Sequence, residues 1–131
     1  MSRTIILADT AQISLNEIAA WRMQQYLREG MTHTASVNAA WKYVDALIDA
    51  AVAAVGDTRL QWPVEMSMYE RGLPIRRWYD THTRHYCFYD DSSDEIEILY
   101  FCHERQNYQN MLYRLMSLYT YVPYLLPGEE V

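Results

Sequence analysis

The 131-residue chain has only two cysteines, Cys87 and Cys102. Two thiols in strand-like runs cannot build a disulfide framework, and free cysteine is ordinarily buried. The four histidines are scattered without close cysteine partners, so no zinc site, no other metal and no cofactor is expected. Four glycines and four prolines are too few for long disorder. No apolar run reaches the roughly 18 residues needed to cross a bilayer. The opening "MSRTIILADT" lacks a signal-peptide layout, because its apolar burst is brief and an acid follows it. A cytoplasmic protein is therefore expected, with no membrane partner. Cationic excess is also missing. The net charge is −6, which argues against strong, non-specific binding to nucleic acid, since that needs many phosphate-neutralising side chains. Phenylalanine is scarce, two against twelve tyrosines and four tryptophans, a balance suited to half-wet surfaces and interfaces.

Half of the residues are apolar, enough for the core of one compact domain spanning residues 1–131. "TIILA" reads as a short strand. Asp9 and Gln12 then suggest a variant capping box. Ala11, Leu15, Ile18, Ala19, Arg22 and Tyr26 recur at helical spacing, and Gly30 is a natural stop. Arg22 on this stripe is expected to pair with Glu17 or an acid of the sheet. Val37, Ala40, Trp41, Val44, Leu47, Ile48, Ala51 and Val55 form a second stripe, ended by Gly56. The short linker implies an antiparallel hairpin of helices.

Residues 57–74 are irregular, with a short strand expected near Val64 to Met68. "IRRWYD", "RHYCFYD" and "EIEILYFCH" alternate and should pair as an antiparallel meander. In the last run, Glu95, Glu97, Leu99, Phe101 and His103 are expected on one face. Ile96, Ile98, Tyr100 and Cys102 are expected on the other. Tyr108, Met111, Leu112, Leu115 and Tyr119 suggest a C-terminal helix within a 107–131 extension. The implied fold class is α+β: an N-terminal strand, an antiparallel α-hairpin on a small twisted sheet completed by a three-stranded meander, and a C-terminal helix.

The charge is uneven. Residues 71 to 85 hold Arg71, Arg76, Arg77 and Arg84 with His82 and His85 against one acid, Asp80, which suggests a local basic surface. Arg76 and Arg77 are strand neighbours and must point to opposite faces. "CHERQ" places His103, Glu104 and Arg105 at a strand exit.

The succession "IILADTAQISLNEIAAW", "IRRWYD", "HYCFYDD" and "EIEILYFCHERQN" resembles the RelE/ParE superfamily, the toxin half of bacterial toxin–antitoxin modules. It is most similar to the ParE-like, plasmid-stabilisation branch, over about residues 3 to 112. The resemblance implies growth inhibition relieved by a cognate antitoxin. Its ParE-like members poison DNA gyrase, and its RelE-like members cut mRNA on the ribosome. Arg76, Arg77, His103, Arg105 and Tyr108 are then the expected target- or partner-binding residues. Were the protein a nuclease, Arg77, Arg84, His103 and Arg105 would be the catalytic candidates, because metal-free RNA cleavage needs a base, an acid and charge to offset the phosphate. Equally, His103 could cap its strand and the arginines could pair with Asp80, Asp90 and Glu97. A third reading is a non-toxic interaction domain of the same fold. The Tyr- and Leu-rich tail exceeds the usual family length. It is expected to cover the sheet or to make a homodimer contact.

Overall fold

The computed structural model describes residues 3–57 and 59–106. The helix expected around Tyr108 and the tail beyond it lie outside these residues. The element order is β1 (Ile5–Leu7), α1 (Asp9–Arg28), α2 (His33–Val55), α3 (Met66–Tyr69), β2 (Ile75–Asp80), β3 (His85–Asp90) and β4 (Ile96–His103). The four strands form one mixed sheet in the order β1-β4-β3-β2. The meander β2–β3–β4 is antiparallel, and β1 joins β4 in parallel. The α+β architecture expected from the sequence is the one observed.

Both helices start and stop for local reasons. α1 begins one residue earlier than the capping-box reading implied. Ala8 is the N-cap and makes no side-chain cap. Its amide is held by Ile98 O at 2.9 Å, while its carbonyl accepts from Gln12 N at 3.1 Å. Asp9 thus falls in the first turn, where a carboxylate complements the positive helix end, and Gln12 donates to Asn16 instead. Gly30, at φ +98°, ends α1 in the left-handed region, and Met31 N donates back to Tyr26 O at 3.1 Å, a Schellman closure. Thr32 caps α2, accepting from Ala35 N at 3.2 Å. Gly56 has another role: a Cβ there would sit 2.8 Å from Val52 O and 3.0 Å from Ile5 Cδ1.

The core lies mainly between the hairpin and the sheet. Ala11, Leu15, Ile18 and Ala19 from α1 meet Val44, Leu47, Ala51 and Val55 from α2 over Trp78, Cys87, Tyr89, Ile96, Ile98 and Phe101. Trp41, expected in the stripe, is instead 41% exposed, because it lies at the margin of the buried arc. A second buried cluster, Met68, Leu73, Ile75, Phe88, Leu99 and Cys102, occupies the opposite sheet face. The strand expected near Val64 to Met68 is only a single bridge, Val64 to Arg76, followed by the helical turn α3. That turn supplies buried Met68 to the second cluster.

One irregularity sets the geometry of everything downstream. Phe88 pairs with Tyr100, but the next β3 residue, Tyr89, pairs with Ile98. Leu99 is thus an extra residue in β4, a bulge. It reverses the alternation expected from the sequence. Phe101 joins Ile96 and Ile98 under the helices, while Leu99 and Cys102 belong to the other face. Beyond the end of β1, the outer edge of β4 has lost its strand partner, and α1 replaces it. Thr10 Oγ1 donates to Leu99 O, and buried Ser14 accepts from Phe101 N at 3.0 Å. The backbone groups freed there are thereby satisfied.

Candidate functional site

A cleft of about 500 Å³ opens between α1 and the exit of β4. Ile18 and Trp21 line it from the helix, Tyr100 and Phe101 from the strand. Its polar lining includes Glu17, Gln25, Arg84, His85, His103 and Arg105. Of the residues singled out in the sequence, the fold brings Arg84, His103 and Arg105 together here. His103 arrives because the Leu99 bulge turns it toward the helix side, where it pairs with His85 across the ladder.

The strand exit is tightly organised. His103 N donates to Gln106 Oε1 at 2.8 Å, and Gln106 N donates to His103 O at 2.9 Å. Arg105 N donates to His103 Nδ1 at 3.1 Å. That bond requires a lone pair on Nδ1, so the neutral ring carries its proton on Nε2. Burial lowers the His103 pKa, Arg105 and Arg84 push the same way, and Glu104 opposes them. His85 is 1% exposed, and its Nδ1–H donates to Thr83 O at 3.1 Å. Burial first, and then His103, drive its pKa down to about 4. The two imidazoles meet edge to face, centroids 4.9 Å apart, with Trp21 5.9 Å from His103 and Tyr43 6.1 Å from His85. Near neutral pH both rings are uncharged. The cleft therefore holds weak bases but no protonated imidazole.

Arg84 has an unusual backbone. It ends the β2–β3 turn at φ +63°, a conformation costly for any residue with a Cβ. Its amide donates to Asp80 O at 2.7 Å, and its carbonyl accepts from Glu104 N at 2.9 Å. The guanidinium meets Glu104 at 2.6 Å yet keeps 58% side-chain exposure. Glu104 also accepts a hydrogen bond from Tyr79 Oη. This bond holds the Glu104 carboxyl below its usual range, helped by Arg84, and raises the Tyr79 pKa. Arg105 is exposed and makes no ion pair among the described residues.

Arg76 and Arg77 do not join the cleft. Arg76 lies on the helix side, paired with Tyr89 across the ladder. It meets Asp91 at 3.1 Å and Trp62 O at 2.7 Å. Arg77 faces the other way and meets Glu65 at 3.1 Å. The basic surface expected over residues 71 to 85 is accordingly reduced, since these two arginines are ion-paired and His85 is buried. Tyr108 lies outside the described residues.

Arg22 also departs from expectation. It makes no ion pair among the described residues. Its guanidinium is enclosed by rings instead, 4.2 Å from the Tyr43 centroid, 4.7 Å from Tyr26 and 5.7 Å from Trp21. It donates to Tyr26 Oη at 2.7 Å and Gln25 Oε1 at 2.9 Å. Aromatic faces take the place of a carboxylate as the cation's partner.

Two cleft residues escaped the sequence reading. The basic run from 71 to 85 groups His85 with a charged surface, whereas its alternation with Cys87 and Tyr89 places it on their buried face. Trp21 stands three residues after Ile18, at the edge of the helix stripe, and is 47% exposed. Among the described residues no cluster of histidine, cysteine and carboxylate could hold a metal, and no helix is long and apolar enough to cross a membrane.

No family model matches the sequence, and no curated protein matches it. Solved structures do share its fold. A chain of the chromosomal ParDE TA system from P. aeruginosa aligns with a TM-score of 0.55 at 15% identity, over 77% of this chain and 95% of that one. The chain thus has the fold of that ParDE protein, in agreement with the RelE/ParE-like architecture its sequence resembles.

Proposed function

We propose that this protein is the toxin of a type II toxin–antitoxin module, ParE-like. In this reading it inhibits growth by binding a macromolecular target, DNA gyrase by family resemblance, and a cognate antitoxin neutralises it. The observation that carries the reading is the shared fold with a chain of a ParDE TA system over most of both chains. The acidic balance of −6 supports a protein target over a nucleic acid one. The cleft at the exit of β4, rimmed by Arg84, His103 and Arg105, is the proposed contact surface.

The test is induced expression with separate readouts of growth, DNA supercoiling and mRNA integrity, alone and together with any short neighbouring gene that encodes a candidate antitoxin. Growth arrest with intact mRNA and relaxed or broken DNA, relieved by the neighbouring gene, is expected. Absence of arrest would leave the non-toxic interaction domain as the better reading.

A second reading, a RelE-like mRNA endonuclease, draws on the convergence of Arg84, His103 and Arg105 in one cleft. Two features weaken it. Arg77 lies on the opposite sheet face, and both imidazoles have lowered pKa values, so neither is ready to protonate a leaving oxygen near neutral pH. Codon-positioned cuts abolished by His103→Ala would reinstate it.

A further inference from the structure

We infer that the cleft between α1 and the β4 exit is an anchor site for an acidic–apolar peptide segment, one carboxylate side chain next to an aromatic or branched apolar one, carried by the protein partner. This inference rests on the toxin reading and specifies the chemistry its partner must present.

Three observations converge. The first is the wall. Trp21 is 47% exposed beside Ile18 and Phe101, an apolar recess whose size of about 500 Å³ suits one or two side chains rather than a whole folded element. A large exposed aromatic over such a recess is the composition of an interface anchor.

The second is the charge. Arg105 is exposed without an ion pair among the described residues, and Arg84 keeps 58% side-chain exposure in spite of Glu104. On a chain of net charge −6, these guanidinium groups offer a local positive rim where a carboxylate is accepted. A nucleic acid strand would need a continuous cationic track. Here Glu17 and Glu104 stand beside the same cleft, which disfavours a run of phosphates but leaves room for a single carboxylate held by a guanidinium fork.

The third is the backbone. Arginine occupies the φ +63° position where glycine or asparagine would be less strained. An arginine kept there delivers its side chain to the cleft rim at a conformational cost.

The probe is acetyl-Glu-Leu-Phe-amide, compared with acetyl-Gln-Leu-Phe-amide and hexauridylate, each titrated into the full chain and followed by ¹H–¹⁵N correlation spectra. The glutamate peptide should shift the Trp21 indole N–H and the Arg105 amide, and should bind about tenfold more tightly than the glutamine peptide. Arg105→Gln should remove that preference. Trp21→Ala should remove binding of both peptides while the spectrum stays dispersed. Equal affinity for the two peptides, or no shift at the cleft, would overturn the inference. Cleft shifts stronger with hexauridylate than with either peptide would overturn it in favour of a nucleic acid site. The growth assay reports on the toxin reading separately. Growth arrest without peptide preference discards the anchor alone, and peptide preference without arrest discards the toxin reading alone.

Discussion

Mild acid should destabilise this protein through His85. The ring is 1% exposed and is faced by Thr83 O, His103 and Tyr43, with Asp80 and Arg22 also in electrostatic reach. Burial and His103 lower its pKa from 6.5 to about 4, Arg22 adds to this, and Thr83 O and Asp80 pull the other way. The unfolded chain therefore takes up a proton at a higher pH than the folded one. The stability of the neutral buried ring is fully present above the upper value and is lost as pH falls toward the lower. At roughly 1.4 kcal/mol per pH unit, the whole window is worth about 3 kcal/mol, and about 2 kcal/mol of it is lost between pH 7 and pH 5. Urea denaturation followed by circular dichroism at these two pH values measures it. With a slope of about 2 kcal/mol per molar, the wild-type midpoint should fall by about 1 M. His85→Gln, whose amide can still donate to Thr83 O, should lose most of that dependence. A wild-type midpoint that stays put, or a His85→Gln midpoint that falls as far as the wild type, would refute the assignment.

Further outcomes follow from the same geometry. Arg84→Gly should be about 1 kcal/mol more stable than Arg84→Ala, since only glycine relieves the left-handed backbone, and equal denaturation midpoints would mean that the turn is not strained. Ser14→Ala should cost about 1–3 kcal/mol by leaving the buried Phe101 amide without an acceptor, and hydrogen exchange at Phe101 should accelerate. Deleting Leu99 should remove the bulge and make Tyr89–Ile98 and Phe88–Tyr100 consecutive pairs, with Phe101 and His103 still on the helix side, so the cross-strand contact between His85 and His103 should persist in NOE spectra. Loss of the His85–His103 contact in that deletion would contradict the register described above.

Much of the fold was legible because helix and strand periods are local. The stripe from Ala11 to Ala19, the stripe from Ala40 to Val55, and the three alternating runs from Ile75 onward each declared their element. Gly30 ended α1 as its spacing required. The site was less legible, because its members come from α1, β3 and β4 and meet only through packing. Arg84, His103 and Arg105 were nameable from their position at strand ends. That Arg76 and Arg77 would be drawn off to Asp91 and Glu65, and that Arg22 would be held by rings instead of a carboxylate, depended on loop and helix placements that no local pattern encodes.

By itself the sequence determined the two long helices, the first strand and the three-stranded meander, their order and the acidic balance, since these depend on residue type and short-range spacing. The tertiary structure alone decided the face on which each β4 side chain lies. Side chains alternate with a period of two, so one unpaired residue, Leu99, inverts every position after it. The cost of that extra residue is met from α1 and its lead-in, by Ala8, Thr10 and Ser14, which satisfy the outer edge of β4 from a distant part of the chain. Without that long-range match His103 would face away from Trp21 and His85, and there would be no cleft.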